Sequence, residues 1–213
     1  MKYQGIIFDL DGVICSTDEY HYQAWKRLAD NLKIPFDRTI NNRLRGVSRM
    51  ASLDIVLEKS ENRYTESEKA VFSEMKNTYY RELLGRMSPE DLSDEVKETL
   101  VILRNAHYKL AIGSSSKNTP YILERIGLNV FFDAVSDGNQ ITHSKPDPEV
   151  FIKAAQMLAL KPEDCLVVED AHAGVEAGVN GGFHVAAIGD ASTDSRADYS
   201  LTSFKDLLKY LET

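Results

Sequence analysis

Short, uninterrupted apolar runs recur along this chain: YQGIIF (3–8), YKLAIGS (108–114), FFDAVS (131–136), CLVVED (165–170) and HVAAIG (184–189). A strand with one wet face alternates apolar and polar residues, whereas a continuous run reads as a strand buried on both faces. Helical stretches separate most of the runs. Buried strands alternating with helices predict an α/β fold, a doubly wound parallel sheet. YSLTS (199–203) is a weaker sixth strand. Pro120 and Pro148 stand where helices can begin, with Thr119 and Asp147 as expected N-caps and Gly127 as a helix stop.

Residues 17–87 break this rhythm, because they hold no convincing strand. Trp25, Leu28, Ala29 and Leu32 follow helical spacing, and so do Phe72, Met75, Tyr79 and Leu83. The expected organisation is a core domain made of 1–16 and 88–213, interrupted by a helical cap at 17–87. Such an insert can open and close over the strand ends, where ligands bind in these sheets.

The net charge of −8 argues against a general nucleic-acid or membrane-surface binder. It leaves room for a small anionic substrate, which needs only a few local cations. Cys15 and Cys165 form neither a disulfide framework nor a zinc spacing. No basic leader with an apolar core opens the chain, and no run reaches the ~18 apolar residues of a membrane span, so a cytoplasmic protein is expected.

Four motifs can carry chemistry. The first strand ends in Asp9, Leu10, Asp11 and Gly12. In an extended chain, residues two apart share a face at ~6–7 Å, and Gly12 allows a sharp turn after them. One carboxylate can serve as nucleophile and metal ligand and the other as acid/base; the same pattern also fits an acidic turn. The strand VVED ends in Glu169 and Asp170. Hard oxygen ligands at two strand ends can jointly hold Mg2+, although Asp170 also fits a simple helix cap. Ser114, Ser115, Ser116, Lys117 and Asn118 precede a helix start, which suits a phosphate cradle or a capped polar loop. Lys145, before Pro146 and therefore expected to be extended, can neutralise a phosphoryl oxygen or the crowded acids. In the cap, His21 and Trp25 share a helix face. LRGVSR (44–49) is a basic loop whose Arg49 can bind phosphate bidentately, and Lys76 and Asn77 lie on another helix.

These core elements, in this order, resemble the haloacid dehalogenase superfamily, and the likeness spans essentially the whole chain. Asp11, which the superfamily's dehalogenases generally lack, favours phosphoryl transfer. Within the superfamily the chain looks most like the β-phosphoglucomutase family, through DEYHYQAW (18–25), LRGVSR, Ser52–Leu53, Lys76–Asn77, SSSKN (114–118) and SKPDPE (144–149). It departs from that family's pattern at Ala171 and His172, at RMASL (49–53) in the cap and in a short segment after Gly189.

The resemblance implies interconversion of β-glucose 1-phosphate and glucose 6-phosphate through β-glucose 1,6-bisphosphate. By the same resemblance Asp9 is the nucleophile, and Asp11 moves the proton while its carbonyl joins Asp9, Glu169 and Asp170 around Mg2+. Ser114 and Lys145 hold the transferring phosphoryl group. Arg49, Ser115, Ser116, Lys117 and Asn118 hold the other phosphate. His21, Trp25, Gly46, Val47, Ser48, Ser52 and Lys76 line the sugar side or assist closure, and Thr17 matches a hinge. The expected partner is a small sugar phosphate and the expected state a monomer. A Mg2+-dependent sugar-phosphate phosphatase would use the same core residues. A non-enzymatic sugar-phosphate-binding protein would not need the full set.

Overall fold

The computed structural model describes residues 2–44 and 47–211. The chain divides into two compact units: Thr17–Met87, and Met1–Ser16 together with Ser88–Thr213.

The second of these carries six strands, β1 (Gly5–Phe8), β2 (Lys109–Gly113), β3 (Ala134–Ser136), β4 (Cys165–Glu169), β5 (His184–Ala187) and β6 (Tyr199–Ser200). The helices in chain order are α1 (Asp18–Asn31), α2 (Arg38–Asn42), α3 (Arg49–Leu57), α4 (Glu66–Leu84), α5 (Asp94–Asn105), α6 (Thr119–Arg125), α7 (Glu149–Met157) and α8 (His172–Asn180). All strand pairings are parallel, in the order β3-β2-β1-β4-β5-β6. The sheet is the doubly wound one expected. The chain runs outward from β1 through β2 and β3, then returns to β4 on the other side of β1. That reversal creates a switch point at the carboxyl ends of β1 and β4, the crevice where such sheets bind ligands.

Both sheet faces are covered, which is why the strands read as unbroken apolar runs. On one face Ile7, Ala111, Val167 and Val185 pack with Val150, Phe151 and Ala154 of α7 and Val175 of α8. Phe8, one residue on from Ile7, points the other way, its ring 5.6 Å from Phe204 and 6.3 Å from Phe132. α5 buries Val96, Leu100 and Leu103 and packs against the short helix Phe204–Tyr210.

Element ends differ from the sequence reading in physical detail. β3 starts at Ala134; just before it the Asp133 amide donates to the Leu110 carbonyl (2.8 Å), while its carboxylate accepts the Leu110 amide (2.8 Å) and an Arg104 guanidinium (2.7 and 2.8 Å). α6 has Asn118 at its N-cap, and the Thr119 hydroxyl donates backward to the Ser116 carbonyl (2.9 Å). Pro148 occupies the N-cap of α7, while Asp147 still accepts the Glu149 amide at 2.9 Å. Gly127 follows the end of α6 at φ 76°, and the chain closes through Leu128 N–H to the Leu123 carbonyl at 2.8 Å.

In the helical unit, α1 buries Ala24, Trp25, Leu28 and Ala29, with Leu32 packed beside them. α4 opens with a capping box between Thr65 and Glu68. Its buried line is Ser73, Lys76, Tyr80 and Leu84, one residue on from the helically spaced Phe72, Met75, Tyr79 and Leu83. Phe72 and Met75 are only partly buried, and Tyr79 stacks under Arg27 at 3.8 Å. The true line contains a serine and a lysine, so an apolar periodicity does not register it. Among the described residues no helix is long and apolar enough to cross a membrane.

Candidate active site

β1 and β4 are parallel neighbours, with Phe8 opposite Val168, and the Asp9 amide continues the ladder to the Val168 carbonyl at 2.9 Å. The register therefore sets Asp9 beside Glu169 and Asp170, and all three are buried. β1 stops at Phe8, so Asp9 and Asp11 ride on a turn beyond the strand rather than on its last pleats. Ile14 and Cys15 both donate to the Leu10 carbonyl (3.0 and 3.2 Å), and Gly12 N–H donates to the Cys15 carbonyl (2.7 Å). Gly12 has φ 89°, and a Cβ there would lie 2.1 Å from Asp170 Oδ2. The turn at residues 9–12 and the Asp170 carboxylate are thus in direct apposition.

Lys145 reaches this point from the loop between β3 and α7. The segment is a turn, and the Lys145–Pro146 peptide is cis. Its ammonium lies 2.5 Å from both Asp9 Oδ1 and Glu169 Oε1, and 4.6 Å from the centre of the Phe151 ring. The other Glu169 oxygen accepts the amides of Asp170 (2.8 Å) and Ala171 (2.9 Å). Gly174 makes room for it, since a Cβ there would fall 1.8 Å from Glu169 Oε1.

Burial alone would lower the Lys145 pKa, but Asp9 and Glu169 outweigh it and hold the ammonium charged. Burial drives the Asp9 carboxyl well above its usual range; Lys145 opposes that rise, and Glu169, Asp170 and Asp11 add to it. Four acids therefore act on one another around a single ammonium. A hard divalent cation fits this excess of negative oxygen donors. Asp9 and Asp170 are the carboxylates suited to it, with the Asp11 backbone close by. Both Glu169 oxygens are already committed to Lys145 and backbone amides, so Glu169 fits better as the lysine's anchor.

His143, Asp147 and Glu149 also bring potential ligand atoms within 4.8 Å of one another. Glu149 accepts the amides of Thr142 (2.9 Å) and His143 (2.7 Å) and pairs with Lys153 (2.7 Å). That cluster closes the first turn of α7.

β2 delivers Ser114, which is buried and whose amide donates to the Ser136 carbonyl (3.1 Å). The loop then folds on itself: Ser114 Oγ accepts the Ser116 amide and Ser116 Oγ accepts the Asn118 amide, both at 3.2 Å. Ser115 Oγ faces the Lys145 amide at 3.5 Å, Asn118 is buried and Lys117 is exposed. The turn after β3 buttresses this loop. Asn139 Nδ2 donates to the Lys117 carbonyl (3.0 Å) and Gly138 N–H to the Ser116 carbonyl (3.2 Å). A Cβ on Gly138 would meet the Ser115 carbonyl at 2.3 Å. Gly138 and Asn139 were missed in the sequence reading, although Asp-Gly followed by Asn is a turn signal.

Within the helical unit, Lys76 is only 2% exposed. Its Nζ lies 2.8 Å from His21 Nδ1 and over the rings of Trp25 (4.9 Å) and Tyr80 (4.4 Å). Burial, Lys76 and Arg49 hold His21 well below its ordinary pKa, so the imidazole is neutral and its Nδ1 accepts from Lys76. Tyr80 donates to buried Thr17 at 3.0 Å. Arg49, the first residue of α3, pairs with Glu74 at 3.0 Å. Ser48 is the N-cap of α3, accepting the Ala51 amide (3.3 Å); Val47 precedes it half-buried, and Ser52 is buried in the helix. Gly46 lies outside the described residues. Sequence-predicted His21, Trp25 and Lys76 therefore converge on one buried cluster, with Arg49 near enough to act on His21.

A family model for haloacid dehalogenase-like hydrolases matches residues 3–182. A protein of Bacillus subtilis (strain 168) named Beta-phosphoglucomutase is 40% identical over 206 residues, covering 96% of this chain and 91% of its own. A Phosphorylated carbohydrates phosphatase of Thermotoga maritima is 30% identical, covering 84% of this chain and 82% of its own. A crystal structure of beta-Phosphoglucomutase from Clostridium difficile superimposes with TM-score 0.91 at 33% identity, covering 98% of this chain and 95% of that one. With the acids at the switch point and the matched core, the chain belongs to the haloacid dehalogenase-like hydrolase family and is an enzyme of that superfamily.

Proposed function

We propose that the chain is a β-phosphoglucomutase, interconverting β-glucose 1-phosphate and glucose 6-phosphate through β-glucose 1,6-bisphosphate. The observation that carries phosphoryl transfer is the buried Asp9, held 2.5 Å from a lysine that Glu169 anchors from its other side. The likeness to the Bacillus subtilis mutase, at 40% identity over nearly the whole chain, supports isomerisation.

In this reading an Asp9 oxygen attacks phosphorus and the bond from phosphorus to the sugar oxygen breaks. Asp11 gives its proton to that departing oxygen and later takes one from the attacking hydroxyl. Lys145 steadies the Asp9 carboxylate and the equatorial oxygens of the transferring group. Ser114 offers its hydroxyl to the same group. Mg2+ would be held by Asp9, Asp170 and the Asp11 carbonyl, and would supply charge neutralisation to the displacement. Asp9 must be ionised to attack, and Lys145 opposes the burial that would keep it protonated.

Ser115, Ser116, Lys117, Asn118 and Arg49 are the proposed ligands of the non-reacting phosphate. Neutral His21, with Nδ1 accepting from Lys76, has Nε2–H left to donate to a sugar or phosphate oxygen. Trp25, Val47, Ser48 and Ser52 shape that end, and Thr17, at the boundary of the inserted unit, is the proposed hinge.

The phosphatase reading rests on the Thermotoga maritima relative, because hydrolysis would use the same core. A product assay separates the two. With β-glucose 1-phosphate, Mg2+ and catalytic bisphosphate, the expected product is glucose 6-phosphate, read by a coupled dehydrogenase. Stoichiometric inorganic phosphate without glucose 6-phosphate would replace the mutase by the phosphatase. Turnover surviving Asp9→Asn would overturn both.

A further inference from the structure

The segment after β5 is bound to the acidic loop along consecutive residues. Ile188 N–H donates to the Glu169 carbonyl (2.8 Å), and Ala191 N–H to the Asp170 carbonyl (3.0 Å). Asp194 is then turned inward, its side chain 5% exposed, with Oδ2 2.7 Å from His172 Nδ1. Arg196 closes the arrangement. Its Nε and Nη2 take both Asp194 oxygens (2.9 and 2.7 Å), Nη2 also reaches the His172 carbonyl (3.2 Å), and Nη1 pairs with Glu176 (2.8 Å).

His172 and Glu176 belong to the first turns of α8, which begins two residues after Asp170. A surface salt bridge joins two side chains and leaves the backbone where it was. This one differs, because one guanidinium is fastened to a buried carboxylate, to a backbone carbonyl and to the next turn of the same helix. His172, on α8, and the segment after Gly189 are the two sides of this contact.

We propose that Asp194 and Arg196 are positioning residues for the divalent cation. They fix the backbone around Asp170, so that its carboxylate is presented at the switch point with little freedom left to lose on metal binding. The inference rests on the reading that Asp170 holds Mg2+. Groups that orient a metal ligand without touching the metal change affinity by about 10- to 100-fold when removed.

The test is isothermal titration of Mg2+ into the full chain, without sugar phosphate, for Arg196→Met, Arg196→Lys and Asp194→Asn, each checked for fold by far-UV circular dichroism. The expected result is a Mg2+ Kd raised about tenfold in Arg196→Met and Asp194→Asn. Arg196→Lys, which keeps the charge and loses the fork, should fall between these and the parent. The KM for sugar phosphate at saturating Mg2+ should stay unchanged, a split that general damage to the fold would not produce. An unchanged Mg2+ Kd in any folded variant of Arg196 or Asp194 overturns the proposal. Asp170→Asn is the control for the underlying reading: if it leaves Mg2+ binding intact, the metal assignment fails rather than the clasp.

Discussion

Asp170 rests its carboxylate against Gly12 so closely that a methyl group on Gly12 would sit 2.1 Å from Oδ2. Gly12 also holds φ at 89°, a conformation that costs an L side chain about 1–3 kcal/mol. Gly12→Ala therefore strains the turn and displaces Asp170 together. The expected outcome is a Mg2+ affinity at least tenfold weaker by calorimetry, with secondary structure retained. Parental affinity in a folded Gly12→Ala protein would mean that the apposition has no bearing on the metal.

Lys145 is the countercharge for two buried acids. Lys145→Met keeps most of the volume and leaves Asp9 and Glu169 without it, which costs about 3–5 kcal/mol for a broken buried pair. Without the ammonium the Asp9 carboxyl is pushed further upward, and a carboxyl whose folded pKa is raised costs more stability as pH rises. The deficit measured by urea unfolding should therefore widen between about pH 5 and pH 8, and activity should be lost throughout. A deficit that narrows with rising pH would contradict the arrangement.

His21 provides a pH dependence of the opposite origin. Its folded pKa lies well below that of the unfolded chain, about 6.5, because of burial, Lys76 and Arg49. Below that value the unfolded chain takes up a proton that the folded one refuses. The stability due to neutral His21 is thus fully present above about pH 6.5 and is lost as pH falls. In urea unfolding at several pH values, His21→Asn should flatten this slope. If the variant and parent keep the same slope from about pH 7.5 to 5.5, the Lys76–His21 contact does not set the protonation state.

Glu74 occupies the Arg49 guanidinium at 3.0 Å, in a pair whose acid is largely exposed. Exposed pairs are worth about 0–1 kcal/mol, so a phosphate competing for Arg49 has little to displace. Glu74→Gln should lower the KM for sugar phosphate by up to about fivefold and leave kcat unchanged. An increase in KM would assign Glu74 to orienting Arg49 instead.

The parallel sheet was legible because both of its faces are buried, and double burial removes polar residues from the strands. The acidic strand ends were legible for the same reason: a charge directly after such a run stands out. Lys145 was a harder case, since the loop that carries it runs between β3 and α7 and only the fold sets its ammonium between Asp9 and Glu169. The helical spacing of Phe72, Met75, Tyr79 and Leu83 located α4 but not its interior line, which is held by Lys76 and Tyr80, whose polar atoms meet His21 and Thr17. Apolar spacing detects transfer from water, and it is blind to buried polar groups that are satisfied by one another. Asn139 went unnoticed because its contact is with the backbone of residue Lys117, whose identity carries no trace of it.

The connection from β1 to β2 already contains a complete crossover helix, α5, apart from the inserted unit. The crossover between these two strands therefore has its own helix outside Thr17–Met87. The register that sets Asp9 beside Glu169 is made by β1, β2 and β4, all outside the insert. The strand order and register are, in this chain, a property of the core unit alone.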